Sequence, residues 1–342
     1  MKRIVSLFLA LVMILSLCIG CGKQDAAPTQ TADPGTTAAV TAETTVPAET
    51  TPWLTGPEAL QGKKIIFIGN SYSFCGQAVL TIQNDILRMD LRQNDQGIFY
   101  QLCKANGIDV SVTNWTYGSH SMRDFFQRRC EAGRECQGVD HEMHLTDRYY
   151  DYVVLQCHNE KEYNGDFMAY LSYAMEFFRE ANPNVKFLMH VPHMSYHKKS
   201  PAWLADLDQL VEGGVRIANW GELCHDVLQG NVEVPGATQE YTYHTFVINW
   251  REDDGFHQNV LCGYLTSLMV YCAITGESAV GQPWKFTNDP TLHPNMDWEK
   301  MKALHYSYGP ETNFVEVFKS DADMLGLQQL ADLYLEKYNG AK

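Results

Sequence analysis

Positive charge is scarce in this chain. Its 342 residues carry 26 Lys and Arg against 41 Asp and Glu, a formal −15 at pH 7. Such a surface repels nucleic acid and other anionic polymers. Long apolar runs are missing beyond the first twenty residues, so no later segment reads as a membrane span. No Cys-x-x-Cys pair occurs apart from Cys18 and Cys21, which leaves a zinc ribbon unsupported. No internal repeat is present.

The amino terminus carries an export pattern. Met1-Lys2-Arg3 is a basic start, and Ile4 to Leu17 is an apolar stretch of about fourteen residues, short for a span and suited to a signal-peptide core. Cys18-Ile19-Gly20-Cys21 follows and reads as a lipoprotein cleavage box. The small Gly20 suits cleavage before Cys21, which would become the lipidated residue. Cleavage removes Lys2 and Arg3, two of the 26 basic residues, and takes the net charge from −15 to −17. Residues 22–56 are rich in Thr, Ala and Pro, with almost no large apolar side chains. They cannot bury enough surface to offset the entropy of ordering, so a flexible tether is expected. The expectation is a protein lipid-anchored to the outer face of a bacterial cell membrane.

Residues 57–342 suit one large domain. Apolar runs at Ile65 to Ile68, Val110 to Val112, Val153 to Gln156 and Phe187 to Val191 are short and bounded by Gly, Pro or Asn, as buried parallel strands are. A fifth strand is expected at Val215 to Ala218. Helical patterns lie between and after them, at Gln77 to Ala105 (with a loop inside), Met122 to Arg134, Gly165 to Ala181, Trp203 to Gly213, Trp220 to Leu228 and Val260 to Ile274. Ser320 to Tyr338 reads as a terminal amphipathic helix with Ser320 as its N-cap. Strand and helix alternate, which predicts an α/β, doubly wound, flavodoxin-like parallel sheet of about five strands, with ligands at the carboxyl ends of the strands.

Two short motifs stand out against this frame. Lys63 to Ser73 is a strand-like run ending at Gly69-Asn70-Ser71, and far downstream comes Asp254-Gly255-Phe256-His257. A serine hydroxyl is a poor nucleophile at neutral pH and needs an imidazole within reach and a carboxylate to orient it. Ser71, His257 and Asp254 are candidates for all three, while a helix N-cap is the alternative role for Ser71. Gly118 follows the second expected strand, and Asn159 follows the third within Cys157-His158-Asn159-Glu160. The order of these blocks resembles the SGNH (GDSL-type) hydrolases over residues 63 to 281. His257-Gln258-Asn259, Gly263-Tyr264-Leu265 and Tyr271 to Gly276 resemble the end of a bacterial subgroup of that family.

The resemblance implies a serine esterase in which Ser71, Asp254 and His257 are catalytic. The amides of Ser71 and Gly118 and the side chain of Asn159 would form the oxyanion hole, with no cofactor and no metal. Two positions depart from the family: Asn70 stands where Asp is common, and Cys157 where Gly is usual. The second leaves open a non-catalytic glycan-binding lipoprotein that keeps the fold. Negative charge favours a neutral or cationic substrate, hence an acylated carbohydrate or other small ester over a phosphate ester. Trp115, Tyr117, Trp220, Tyr241, Tyr243 and Trp250 are candidates for stacking on sugar rings, although core packing is the commoner role for any one aromatic.

Histidine and cysteine raise two further questions. His190, His193 and His197 follow a strand and His141 and His144 form a second group, but Pro192 breaks any helical ligand spacing. Loop residues shaping the substrate mouth are the better expectation than a zinc site. Cys130 and Cys136 could close a small loop in an oxidising compartment. Cys75, Cys103, Cys157, Cys224, Cys262 and Cys272 lie in apolar patterns and read as small buried hydrophobes.

Overall fold

The structure is a computed structural model. It describes residues 52–74, 76, 78–79, 90–93, 97–116, 121–122, 125–126, 145, 147–156, 166–192, 201–247, 250–251, 254–255, 258–285 and 320–340. All of these belong to the compact unit Thr44–Lys342. The expected signal peptide, Cys21 and most of the tether lie outside the described residues, as do Cys75, Cys130, Cys136 and Cys157.

A six-stranded sheet organises the unit. Its strands are β1 (Lys63–Gly69), β2 (Asp90–Gln93), β3 (Val110–Thr116), β4 (Tyr152–Gln156), β5 (Lys186–His190) and β6 (Arg216–Ala218), in the order β2-β3-β1-β4-β5-β6. Five are parallel, and β2 runs antiparallel to β3 at one edge. Without that edge strand the order is the doubly wound 2-1-3-4-5 pattern, with its switch point between β1 and β4. The five parallel strands are those the apolar runs predict. The edge strand β2 is an addition: it and the helix α2 (Ile98–Ala105) occupy the stretch read as helical from Gln77 to Ala105.

Side-chain alternation along each strand divides the core in two. Ile65, Phe67, Val110, Val112, Val154, Leu188 and Ala218 face one layer, while Ile66, Ile68, Trp115, Val153, Leu155, Phe187, Met189 and Ile217 face the other. The first layer is covered by α2, α5 (Trp220–Leu228), α7 (Val260–Thr275) and α8 (Asp321–Asn339). The second is covered by α3 (Asp166–Arg179) and α4 (Pro201–Glu212). Because both faces are buried, β1 reads as an unbroken apolar run instead of an alternating one.

Helix α7 is buried on every side, which explains a sequence with no polar stripe. Its internal hydroxyls are satisfied by the preceding turn: Thr266 donates to the Cys262 carbonyl at 2.8 Å and Ser267 to the Gly263 carbonyl at 2.8 Å. Asn259 caps its start, accepting from the amides of Leu261 and Cys262, and Gly276 ends it with φ +70°. Ser320 caps α8, as expected, by accepting from the Ala322 amide. At the far end of α8 the Asn339 side chain accepts from the Ile217 amide and donates to the Ile217 carbonyl. That pairing covers the open edge of β6, where unpaired backbone would otherwise invite another strand. No described helix is long and apolar enough to cross a membrane.

Candidate active site

Strand β1 delivers Ser71 to the switch point. The chain leaves β1 at Gly69, passes through Asn70 and enters the short helix α1 (Ser71–Phe74). Capping of that turn falls to Asn70: its Oδ1 accepts from the Tyr72 amide at 3.0 Å and its carbonyl from the Ser73 amide at 2.8 Å. The alternative role for Ser71 as N-cap is therefore taken by its neighbour. Ser71 keeps 8% of its surface exposed, against 1% for Ser73.

Asn70 is tied across the switch point to Gln156, the last residue of β4. Gln156 Nε2 donates to Asn70 Oδ1 at 2.6 Å, and Gln156 Oε1 accepts from the Asn70 amide at 3.1 Å. Gly69 makes this approach possible, because a Cβ there would lie 2.5 Å from Gln156 Oε1 and 2.7 Å from Ser73 Oγ. Gln156 is paired in register with His190, the last residue of β5.

Ser73 and His190 form a serine–histidine contact of their own, Oγ to Nε2 at 3.0 Å. Its chemistry is not that of a nucleophile and base. The indole of Trp220 can only donate, and its Nε1 lies 3.5 Å from His190 Nδ1. Nδ1 therefore accepts, the proton of the neutral ring sits on Nε2, and Nε2 donates to Ser73. The Ser73 hydroxyl in turn donates to Gln156 Oε1 at 2.6 Å. Complete burial penalises the imidazolium and lowers the His190 pKa to about 3. His190 is thus a neutral structural donor with both ring nitrogens engaged, which removes it from the metal-ligand candidates. Among the described residues no cluster of three His, Cys, Asp or Glu could hold a metal ion. His141, His144, His193 and His197 lie outside the described residues.

The late segment returns to the same place. Gln258, which follows His257, donates its Nε2 to the carbonyl of Tyr72, which follows Ser71. Gln258 also bridges Val247, and Asn259 Nδ2 donates at 2.7 Å to the carbonyl of Thr245 in the short helix α6 (Tyr243–Phe246). Next along, α7 meets the loop after α1 through two glycines. A Cβ on Gly263 would lie 1.7 Å from the Gly76 carbonyl oxygen, and one on Gly76 would lie 2.3 Å from that of Asn259. The backbone of Asp254 lies in β8 (Asp254–Gly255), paired with β7 (Trp250–Arg251). The side chain of Asp254 and the residues His257, Gly118 and Asn159 lie outside what the structure describes.

Several aromatic candidates have other roles. Trp115 and Trp220 are fully buried core residues, Trp115 against Phe125 and Phe126 and Trp220 against His190. Tyr241 stacks on Phe246 and donates to Asp323, and Tyr243 packs against the core. Tyr117 and the Trp250 side chain lie outside the described residues. Cys103, Cys224, Cys262 and Cys272 are buried free thiols, as their apolar surroundings predict. Sequence reasoning assigned no role to Ser73, Gln156 or Gln258. The signal for Gln156 and His190 was a polar residue closing an otherwise apolar strand.

No protein-family model matches the chain, and no curated protein matches it. Solved structures do. A variant of an acetyl-xylooligosaccharide esterase from Geobacillus is 15% identical over 64% of this chain and 96% of its own, with a TM-score of 0.40. A Parabacteroides merdae protein described as a GDSL-like lipase is 13% identical over 66% of this chain and 99% of its own, with a TM-score of 0.41. A carbohydrate esterase family 2 enzyme with a carbohydrate binding domain, from Myceliophthora fergusii, is 13% identical over 66% of this chain and 68% of its own, with a TM-score of 0.36. At these TM-scores the likenesses carry no argument, and the α/β doubly wound class rests on strand order and register.

Proposed function

We propose that the protein is an exported serine esterase of the SGNH type that removes acetyl or another small acyl group from a carbohydrate. The observation that carries this reading is the hydrogen bond from Gln258 to the Tyr72 carbonyl. It ties the neighbour of His257 to the neighbour of Ser71, at the crevice where doubly wound sheets bind ligands. In this reading Ser71 Oγ attacks the ester carbonyl as His257 takes its proton. The tetrahedral intermediate collapses as His257 returns that proton to the leaving alkoxide, and a water repeats the cycle on the acyl-enzyme. Asp254 orients His257. The amides of Ser71 and Gly118 with the Asn159 side chain bind the oxyanion. Cys21 carries the lipid that holds the domain at the outer membrane face. The acidic balance of the chain, −17 once Lys2 and Arg3 are removed, favours an uncharged glycan ester over a phosphate ester.

Fluorophosphonate labelling with peptide mapping tests the assignment, because only an activated serine reacts. Label on Ser71, lost in Ser71→Ala together with aryl acetate hydrolysis, is the expected result. A label on Ser73 would move the nucleophile two residues. No label at all would favour the non-catalytic glycan-binding lipoprotein.

A further inference from the structure

We propose that Ser73, Gln156 and His190 are positioning residues for Ser71, forming a one-way hydrogen-bond relay from Trp220 to Asn70 that fixes the nucleophile turn. The proposal rests on Ser71 being the nucleophile. Its direction follows from the obligate donor at one end, the Trp220 indole, and the acceptor at the other, Asn70 Oδ1. Trp220 donates to His190, His190 to Ser73, Ser73 to Gln156, and Gln156 Nε2 to Asn70 Oδ1. No link can be reversed alone, since the indole has no lone pair to offer and Gln156 Oε1 has no proton.

The relay ends where catalysis needs rigidity. Asn70 is held through its amide, its carbonyl and its Oδ1. Its carbonyl takes the Ser73 amide. In a planar trans peptide the N–H points opposite to the C=O, so this bond sets the direction of the Ser71 N–H, a proposed oxyanion donor. Ser73 is the hub, holding Asn70 through its amide and Gln156 through its hydroxyl. His190 stays neutral across the working range because burial disfavours its charged form.

The informative variant is Gln156→Glu, which keeps the shape. Its carboxyl still accepts from Ser73 and Asn70, but donates to Asn70 Oδ1 only while protonated. Once ionised, it sets two acceptors against each other, or turns the Asn70 amide and removes the cap from the Tyr72 N–H. The measured quantity is the ratio of variant to wild-type kcat on an aryl acetate from pH 6 to 9, with both full pH profiles recorded so that a shift of the His257 pKa by the new carboxylate, which lowers the ratio at the acid end, is separated from a fall toward high pH. Among the described residues His190 is the titratable side chain bonded into the relay, and it does not change charge in that range. The ratio is expected to fall at least about tenfold with rising pH, a 1 Å misplacement being worth roughly 10² in rate. Ser73→Ala is expected to lower kcat about 10–100-fold with KM nearly unchanged and the fluorophosphonate still on Ser71. A flat ratio near one overturns the relay while leaving Ser71 in place. Activity in Ser71→Ala, or label on Ser73, overturns the assignment beneath it. Should Gln156→Glu fail to fold by circular dichroism, the kcat and KM of Ser73→Ala decide, and wild-type values there overturn the relay.

Discussion

Replacing Gly263 by Ala tests whether the contact between α7 and the loop after α1 holds the site together. The new Cβ would start 1.7 Å from the Gly76 carbonyl oxygen and 2.4 Å from its carbon. Ordinary carbon–oxygen contact begins near 3.3 Å, so one backbone must retreat by roughly 1.6 Å. Gly76 cannot retreat freely: it has φ +79° and its own Cβ position lies 2.3 Å from the Asn259 carbonyl. The movement therefore passes to the Ser71 turn, to α7, or to both, and Gln258 links the two. Overpacking of this kind costs about 1–3 kcal/mol, and each kcal/mol lowers Tm by roughly 2 °C in a domain this large. Displacing reacting groups by about 1 Å costs on the order of 10² in kcat. Thermal unfolding and steady-state aryl acetate hydrolysis measure both. Gly107→Ala is the control, since its φ of +73° makes Ala strained but nothing crowds the Cβ. It should lose stability without losing kcat. If Gly263→Ala kept wild-type Tm and kcat, the close approach and its role at the site would both be wrong.

Two other outcomes follow from particular residues. Burial alone would raise the Asp323 pKa, but hydrogen bonds from the Thr238 amide and hydroxyl, and from Tyr241 and Ser320, outweigh it and hold the carboxyl below its ordinary value. A depressed folded pKa contributes stability above the unfolded value and loses it as pH falls through the folded one. The destabilisation of Asp323→Asn should accordingly be clear in thermal melts at pH 7 and shrink at pH 2.5, and an equal penalty at both would refute the reasoning. Cys21→Ser should shift the protein from the membrane fraction to a soluble or unprocessed form, because Gly20 before Cys21 is the feature that reads as a lipid-attachment site; equal membrane retention of processed wild type and variant would remove the anchor from the proposal.

The parallel sheet was legible because its strands are buried on both faces, which forces apolar runs such as Ile65-Ile66-Phe67-Ile68. Helix α5 appears with the bounds read from sequence, helped by Asn219, whose side chain accepts from the Glu222 amide as an N-cap. Strand β2 was not legible, since Asp90-Leu91-Arg92-Gln93 is short and mostly polar and pairs on one side only. Its partner β3 also runs past the strand expected at Asp109 to Thr113, whose apolar run stops at Val112, and continues through Asn114 to Thr116. Asn114 is buried, and its Oδ1 accepts from Thr116 at 2.8 Å. A polar residue satisfied inside a strand looks like a terminus when only hydropathy is visible.

The site divides in the same way. The turn at Ser71 could be picked out because glycine, asparagine and serine after an apolar run mark a strand's carboxyl end. The residues supporting it could not, because sequence separates Ser73 from Gln156 by 83 positions and from His190 by 117. Parallel register brings them together: β1 and β4 pair up to Ile68 and Leu155, and β4 and β5 up to Gln156 and His190. Gln156 and His190, the polar residues closing β4 and β5, thereby fall side by side, both within hydrogen-bond reach of Ser73 in the turn after β1. Viewed as a pair, Ser73 and His190 imitate a nucleophile with its base. The third partner decides otherwise, because an indole that only donates fixes the proton on the nitrogen facing Ser73. A base must offer a lone pair to the serine, and this histidine offers a proton.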